Sequence, residues 1–260
     1  MLRTILISGL ATALLGGAAL AADMPTKKAA PAFVPPPVVS WTGFYIGVNG
    51  GYAGDAFRYP FSGNYGEFVS GGGSASLTSS GFLGGAQAGY NWQLAPSWLI
   101  GAEADIDATS ISGKLSIGAA GLFEGEDVSG SATAKSQQDY LGTVRARLGY
   151  LVTDRFLMFA TGGLAYGDVK SSVGAQASFG GETFGPYSYS KTTTHVGWTL
   201  GAGVEYKIDK NWSFKTEYLY VDLGSQTLLS GSGGEGYYAY SLKVHPTDNI
   251  VRAGLNYTFN

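Results

Sequence analysis

The feature that most limits the fold is a series of segments in which apolar and polar residues alternate with a period of two. Each segment is about ten residues long, and eight of them follow one another after Trp41. This alternation predicts β-strands with one apolar face, and the segment length is typical of strands that cross a membrane in a barrel. The predicted strands are residues 43–54, 81–93, 97–109, 139–152, 155–168, 193–208, 211–223 and 248–259.

The connections between these strands alternate between short and long. The short ones are Leu94–Pro96, Thr153–Asp154 and Asp209–Lys210. The long ones are rich in Gly and Ser and cover residues 55–80, 110–138, 169–192 and 224–247. Outer-membrane barrels combine short periplasmic turns with long outside loops. The sequence therefore predicts an all-β fold: an eight-stranded antiparallel transmembrane β-barrel with short periplasmic turns and four long extracellular loops.

The first forty residues predict export and an extended lead before the barrel. Met1–Arg3 is a short basic start, Ile5–Leu20 is apolar, and Ala19–Ala21 fits a small-x-small cleavage site, so residues 1–21 are interpreted as a signal peptide. Residues 22–40 are rich in proline and form an extended periplasmic lead. The barrel is predicted to cover residues 41–260. The expected location is the outer membrane of a Gram-negative cell.

The composition excludes several classes of function. Charged residues make up 13% of the chain and the net charge is −3, so no basic surface is offered to nucleic acid. The chain has no cysteine, which excludes disulfides, thiolate metal sites and a cysteine nucleophile. A soluble, lipocalin-type barrel shows the same alternation with the apolar side inward. The signal peptide, the aromatic strand ends and the scarcity of charge on the apolar face favour the membrane barrel.

The polar faces of the predicted strands carry a balanced set of charges. If the apolar face meets lipid, these side chains point into a barrel that is just wide enough to be filled by them. The predicted lumen network contains Glu103, Asp105, Glu205, Glu217, Arg145, Arg147, Lys215 and Arg252. Buried charges are stable only when they are paired, so we expect a network that plugs the lumen. A narrow ion path along these groups is the alternative.

Other candidate sites are sparser. Tyr237, Tyr238, Tyr240 and His245 carry phenolate and imidazole groups that are able to ligate hemin iron, although an aromatic loop that contacts lipopolysaccharide is preferred. His195 is expected inside the barrel near the outer rim. A lipid hydrolase needs a Ser-His-acid triad, and no serine near His195 stands in a specific pattern. We therefore predict no catalytic residue, no metal site and no enzyme activity.

Several segments together resemble a known family. They are Trp41–Tyr52, Gly101–Ile106, Gly142–Tyr150, Ala160–Gly167, Gly197–Tyr206 and Val251–Phe259. These segments are similar to the small outer-membrane β-barrel proteins of alphaproteobacteria, which include surface antigens and hemin-binding members and resemble the OmpA membrane domain. The resemblance implies an eight-stranded barrel and, in some members, hemin binding. The family usually ends on an aromatic residue that the barrel-assembly machinery reads, whereas here Asn260 follows Phe259.

The sequence thus predicts a structural, surface-exposed outer-membrane barrel protein that supports envelope integrity and has a plugged lumen. A hemin-binding surface receptor and a small diffusion porin are the alternatives, with a lipid hydrolase as a third. No cofactor is expected unless hemin binds. The expected partners are outer-membrane lipid, lipopolysaccharide and the barrel-assembly machinery, and no nucleic acid is expected. Contact of the proline-rich lead with peptidoglycan is left open.

Overall fold

The computed structural model describes residues 40–65, 69–123, 126–233 and 238–259, and nearly all of them lie in β-strands. The strands are β1 (Gly43–Tyr65), β2 (Val69–Ala95), β3 (Trp98–Phe123), β4 (Glu126–Thr153), β5 (Phe156–Phe179), β6 (Glu182–Lys207), β7 (Trp212–Asp222), β8 (Gln226–Gly233) and β9 (Tyr238–Phe259). Within these residues no helix is long and apolar enough to cross a membrane. The predicted signal peptide and most of the proline-rich lead lie outside the described residues, as does Asn260.

The strands close into a ring. Each of β1 to β6 pairs antiparallel with the next strand, and β9 pairs with both β7 and β1. The short strand β8 pairs with the outer part of β9, so the ring itself is formed by β1–β7 and β9. In the membrane part of the described ring, closure leaves no unpaired strand edge, which is the condition for crossing a membrane with strands. The predicted all-β antiparallel barrel is confirmed.

The alternation of the ring strands follows the predicted parity. On β9, Val251 points outward with 63% of its surface exposed, and Arg252 points inward with 2% exposed. Aromatic side chains gather at both ends of the outward apolar band. Trp98 and Tyr150 are in edge contact near the short turns, with ring centroids 5.1 Å apart, and Tyr52 and Phe82 are in contact at the other end, at 5.2 Å. These two belts match the aromatic girdles of a membrane barrel.

The segments predicted as four long loops are largely strand, and this part of the prediction needs correction. Residues 111–123 pair with 126–138, for example, and continue β3 and β4 as a hairpin. In β5 and β6 the turn is made by Gly180 and Gly181, whose φ angles of 57° and 84° lie in the left-handed region. Strand β4 has 28 residues, more than twice the 9–11 needed to cross a membrane. The strands therefore extend well beyond the bilayer on the outer side.

The direction of the apolar face reverses along the strands. In the membrane part of β3, Ile106 points outward and is 55% exposed. In the extension, Ile111 is fully buried inside, and its neighbours Ser112 and Lys114 point out. The surroundings explain this change, because an extension in water is stable with a polar outer face and an apolar interior. Its pattern resembles that of a soluble barrel placed on top of a membrane barrel.

Candidate functional site: a charge network inside the barrel

All eight charged residues predicted to face the lumen lie inside the barrel and are at least 95% buried. They come from five neighbouring or facing strands: β3, β4, β6, β7 and β9. Every second residue of these strands points inward, and the tilt of the ring brings residues distant in sequence into contact. The structure therefore joins the predicted residues into one ion-paired cluster.

Arg145 on β4 is the centre of this cluster. Its Nη2 donates to Glu103 Oε1 at 2.5 Å and to Asp105 Oδ2 at 2.8 Å. Its Nη1 donates to Glu217 Oε2 at 3.1 Å and to the hydroxyl of Thr161 at 3.2 Å. One guanidinium thus contacts carboxylates from β3 and β7. The planar group with several donors is suited to such multiple contacts.

Lys215 and Arg252 connect the same carboxylates from the other side. Lys215 Nζ lies 2.9 Å from both carboxylate oxygens of Glu103 and 3.1 Å from Glu217 Oε1. Arg252 Nε donates to Glu217 Oε1 at 2.6 Å, and its Nη2 donates to Asp105 at 2.9 Å. Each carboxylate in this layer contacts at least two cations. This sharing fixes the side chains more firmly than isolated pairs would.

Arg147 forms the periplasmic edge of the network with Glu205. Its Nη2 donates to Glu205 Oε2, and the guanidinium carbon lies 3.9 Å from the ring centroid of Phe159. The second oxygen of Glu205 accepts from the hydroxyl of Ser213 at 2.5 Å and from Asn256 Nδ2 at 2.9 Å. The ion pair is therefore enclosed by an aromatic ring and neutral donors.

Tyr45 on β1 adds a neutral donor that the sequence interpretation missed. Its phenol donates to Glu103 Oε2 at 2.6 Å. A Cβ atom on the neighbouring Gly89 would lie 2.5 Å from that phenol oxygen, so the glycine leaves the space that the ring occupies. Tyr45 lies on the inward parity of the first strand, and this parity was the available signal.

Asp107 and Lys207 are further buried charges that the predicted network omits. Asp107 Oδ2 accepts from Arg252 Nη1 at 2.7 Å. Lys207 Nζ donates to the backbone oxygens of Ser40 at 2.7 Å and Lys210 at 3.2 Å, below the main cluster. Both residues share a face with predicted members on β3 and β6. The same alternation that selected Glu103 and Glu205 therefore already pointed to them.

Apolar clusters lie above and below the charges. The periplasmic apolar cluster consists of Trp41, Leu99, Leu151, Leu157 and Phe159. The outer apolar cluster lies on the other side, at inward positions of the membrane strands and of the extension, and includes Phe57, Leu77, Ile111, Leu219 and Ile250. In the described residues the interior is thus layered: apolar, charged, apolar. Buried charges in such surroundings are stable only because they are paired and hydrogen-bonded.

Among the described residues, the two histidines do not form one site with Tyr238 and Tyr240. His195 is fully buried on β6, and its ring nitrogens have no serine or carboxylate partner in the described part of the chain. His245 lies on β9, where its Nε2 is 2.9 Å from Asp222 Oδ1. Tyr238 and Tyr240 lie on the opposite face of β9, since they are an odd number of residues away from His245. Tyr237 lies outside the described residues.

A closed antiparallel ring with an apolar, aromatic-edged outer band and a polar interior defines a transmembrane β-barrel of the outer-membrane class. The model of the family described as "Outer membrane protein beta-barrel domain" matches residues 10–259. The chain belongs to this family and is an outer-membrane protein.

Its relatives have the same location. The chain is 42% identical to the 31 kDa outer-membrane immunogenic protein of Brucella melitensis, over 99% of this chain and 100% of that protein. It is 32% identical to the 22 kDa outer membrane protein of Rhizobium leguminosarum bv. viciae, over 80% of this chain and 77% of that protein. Among solved structures it is similar to OprG from Pseudomonas aeruginosa, with a TM-score of 0.40, 18% identity, and coverage of 84% of this chain and 97% of that chain.

Proposed function

We propose that the protein is a structural, surface-exposed barrel that supports the integrity of the outer membrane and keeps its lumen closed. The observation that carries this proposal is the charge network buried between two apolar clusters. A solute crossing the lumen would have to break several charge-assisted hydrogen bonds and displace packed apolar side chains. Neither step is compatible with fast diffusion.

The energetics favour a fixed network over a conducting one. Removing one partner from a buried ion pair leaves an uncompensated charge and costs about 3–5 kcal/mol. Arg145, Arg252 and Glu103 each contact several partners, so opening a path breaks several pairs together. This cost supports a mechanical role for the interior, which holds the eight ring strands at a constant diameter.

A conductance measurement tests the closed lumen. Folded protein, identified by its heat-modifiable mobility in gels, is reconstituted in planar bilayers beside an open porin as a positive control. We expect no large, stable openings. Regular stepwise conductance from the folded form would overturn the proposal and favour the diffusion porin.

The envelope role is tested by detergent sensitivity of cells that lack the protein, with recovery expected when the gene is restored.

Hemin reception is the competing function, and titration of the same folded protein with hemin tests it. Two variants are compared with the original protein: H245A, and Y237F/Y238F/Y240F. A Soret shift in the original protein that is lost in these variants would favour a hemin receptor. The positions of His245 and of Tyr238 and Tyr240 on opposite faces of β9 argue against one shared iron site. We therefore expect no such shift.

A further inference from the structure

Three lysines lie side by side on the outward face of the strand extension. Lys114 on β3 is directly opposite Lys135 on β4. Lys170 on β5 is opposite Gln137, which makes it the diagonal neighbour of Lys135 on the same face. We propose that this lysine triad binds the anionic groups of lipopolysaccharide in the outer leaflet around the barrel.

The first argument is the cost of the arrangement. Residues directly opposite in an antiparallel pair have Cβ atoms about 5 Å apart, and like charges there destabilise the sheet. In the part of the chain that the structure describes, none of the three lysines belongs to an ion pair within 4.0 Å. An external anion that lies between the ammonium groups would remove this repulsion.

The nearest acidic residues on this face are already engaged with the chain. Asp168 Oδ1 accepts from the backbone N–H groups of Asp139 at 3.3 Å and Tyr140 at 3.1 Å. Asp139 Oδ1 accepts from Gln137 Nε2 at 2.6 Å. These contacts fix the carboxylates on the membrane side of the lysines. The triad is therefore left with a net positive charge that faces outward.

The second argument is the shape of the surface. A depression of about 550 Å³ lies among the lysines, and hydroxyl and amide groups complete its lining. Its polar side chains include Ser112, Lys114, Lys135, Gln137, Lys170 and Ser172. Ammonium, hydroxyl and amide donors together suit a group with several acceptor oxygens, such as a sugar phosphate.

The third argument is the height of the triad above the hydrocarbon. Leu164 is an outward, lipid-facing aliphatic residue of β5, 62% exposed, and Tyr166 follows it on the same face. Lys170 lies four residues beyond Tyr166. This separation is about 13 Å along the strand and roughly 10 Å along the membrane normal at a typical strand tilt. That level belongs to the sugars and phosphates of the outer leaflet. Because the side chains point outward, they face the headgroup layer around the barrel and not the lumen.

Binding of rough-type lipopolysaccharide to the full, folded protein in detergent tests the proposal. The variant K114Q/K135Q/K170Q removes the charge and keeps the side-chain length. The three lysines act together near an anionic surface, so the apparent affinity for lipopolysaccharide is expected to fall on the order of 100-fold. The variant K114R/K135R/K170R keeps the charge and should bind lipopolysaccharide within about threefold of the original protein. Unchanged gel mobility of each folded variant shows that the barrel is intact.

A matched control separates a site from diffuse charge. Arg58 and Lys243 are exposed on the outward face of β1 and β9, on a different side of the extension. The variant R58Q/K243Q removes two charges there and should bind lipopolysaccharide with the affinity of the original protein. Equal losses in both charge-removal variants, or no loss in the lysine variant, would overturn the proposal.

A second comparison identifies the source of the anion. Diphosphoryl lipid A should bind the original protein more tightly than dephosphorylated lipid A, and this difference should vanish in the glutamine triple variant. Inorganic phosphate at millimolar concentration should displace little of the bound lipid. Full displacement by phosphate would assign the triad to a free anion and overturn its assignment to lipid.

Discussion

Arg145 is the residue on which the interior depends most, because its guanidinium contacts Glu103, Asp105 and Glu217 at 2.5 to 3.1 Å. Three carboxylates within reach of one cation repel one another when that cation is lost. The burial of the cluster prevents water from screening this repulsion. The position therefore makes a sharp test of the network.

We predict that the R145Q variant lowers the free energy of unfolding by about 3–5 kcal/mol, because it leaves buried carboxylates without their shared cation. A urea titration in lipid vesicles, followed by tryptophan fluorescence, measures the change. The double variant R145Q/E217Q should regain part of the loss, since it also removes one of the excess negative charges. Arg155 in the exposed β4–β5 turn is the matched control, and R155Q should change stability by no more than about 0.5 kcal/mol. Equal effects of R145Q and R155Q would contradict the network.

At the opposite extreme of exposure, Asp209 organises the short turn between β6 and β7. Its Oδ1 accepts from the backbone N–H groups of Trp212 at 2.7 Å and Asn211 at 2.8 Å. These backbone hydrogen bonds stabilise the carboxylate and hold the pKa of Asp209 below its ordinary value. An acidic group with a lowered folded-state pKa stabilises the fold above its unfolded pKa, and this contribution is lost as pH falls through the folded value.

The difference in the free energy of unfolding between the D209N variant and the original protein should therefore depend on pH. At neutral pH the original protein is the more stable of the two, because the carboxylate is the stronger acceptor. The difference should narrow below about pH 4, where the unfolded-state carboxyl becomes protonated, and continue to shrink toward lower pH. Parallel urea titrations across this range measure it. A difference that is constant with pH would show that Asp209 does not act through its charge.

At the scale of whole strands, the membrane segments were predictable and their extensions were not recognised. Lipid forces a strict apolar face onto residues such as Val251 and Leu255, and a period-two count detects it directly. The extension carries a weaker form of the same signal, as in the alternation of Ile111, Leu115 and Ile117 with Ser112, Ser116 and other small or charged residues. Its high content of Gly and Ser resembles loop composition, which led to the prediction of loops.

The extension can be tested by chemical labelling, because the native chain has no cysteine. Single cysteines at residues 111, 112, 115 and 116 are treated with a charged maleimide on intact cells. Paired strands predict fast labelling at Ser112 and Ser116, which point outward, and slow labelling at Ile111 and Leu115, which face the interior. The same alternation is expected at Leu77 and Thr78 on β2. Uniformly fast labelling would indicate irregular loops and contradict the extension.

Contacts across the barrel set the limit of prediction from sequence. Alternation assigned Glu103, Asp105 and Asp107 to one face, but it did not indicate that Arg252, 145 positions from Asp107, would be the cation that contacts it. That pairing depends on strand tilt and ring closure, which are properties of the complete barrel. Trp41 was missed for the same reason, since its indole contacts Asp154 and Lys207, which lie on other parts of the ring.

Trp41 joins distant parts of the ring at the periplasmic mouth. It directly precedes β1, yet its indole N–H donates to the backbone oxygen of Asp154 at 3.0 Å in the turn after β4. Lys207 Nζ, at the end of β6, lies 5.2 Å from its ring centroid. In the ring order, the β4–β5 turn is on the far side from β1. One side chain therefore spans the mouth and closes it with the periplasmic apolar cluster.

This geometry predicts graded losses of stability. The W41A variant should lower the free energy of unfolding by about 3–5 kcal/mol, as expected for removal of a buried tryptophan. W41F keeps the apolar ring and loses the hydrogen bond to Asp154, so a loss of about 1–3 kcal/mol is expected. W92A, at an outward tryptophan that is 58% exposed, should cost less than W41A. The charge network lies above Trp41 and is unchanged in W41A. Planar bilayers that contain the W41A protein should therefore show no stable conductance steps. Stable openings in W41A alone would show that the barrel is sealed at its periplasmic mouth and not by the network.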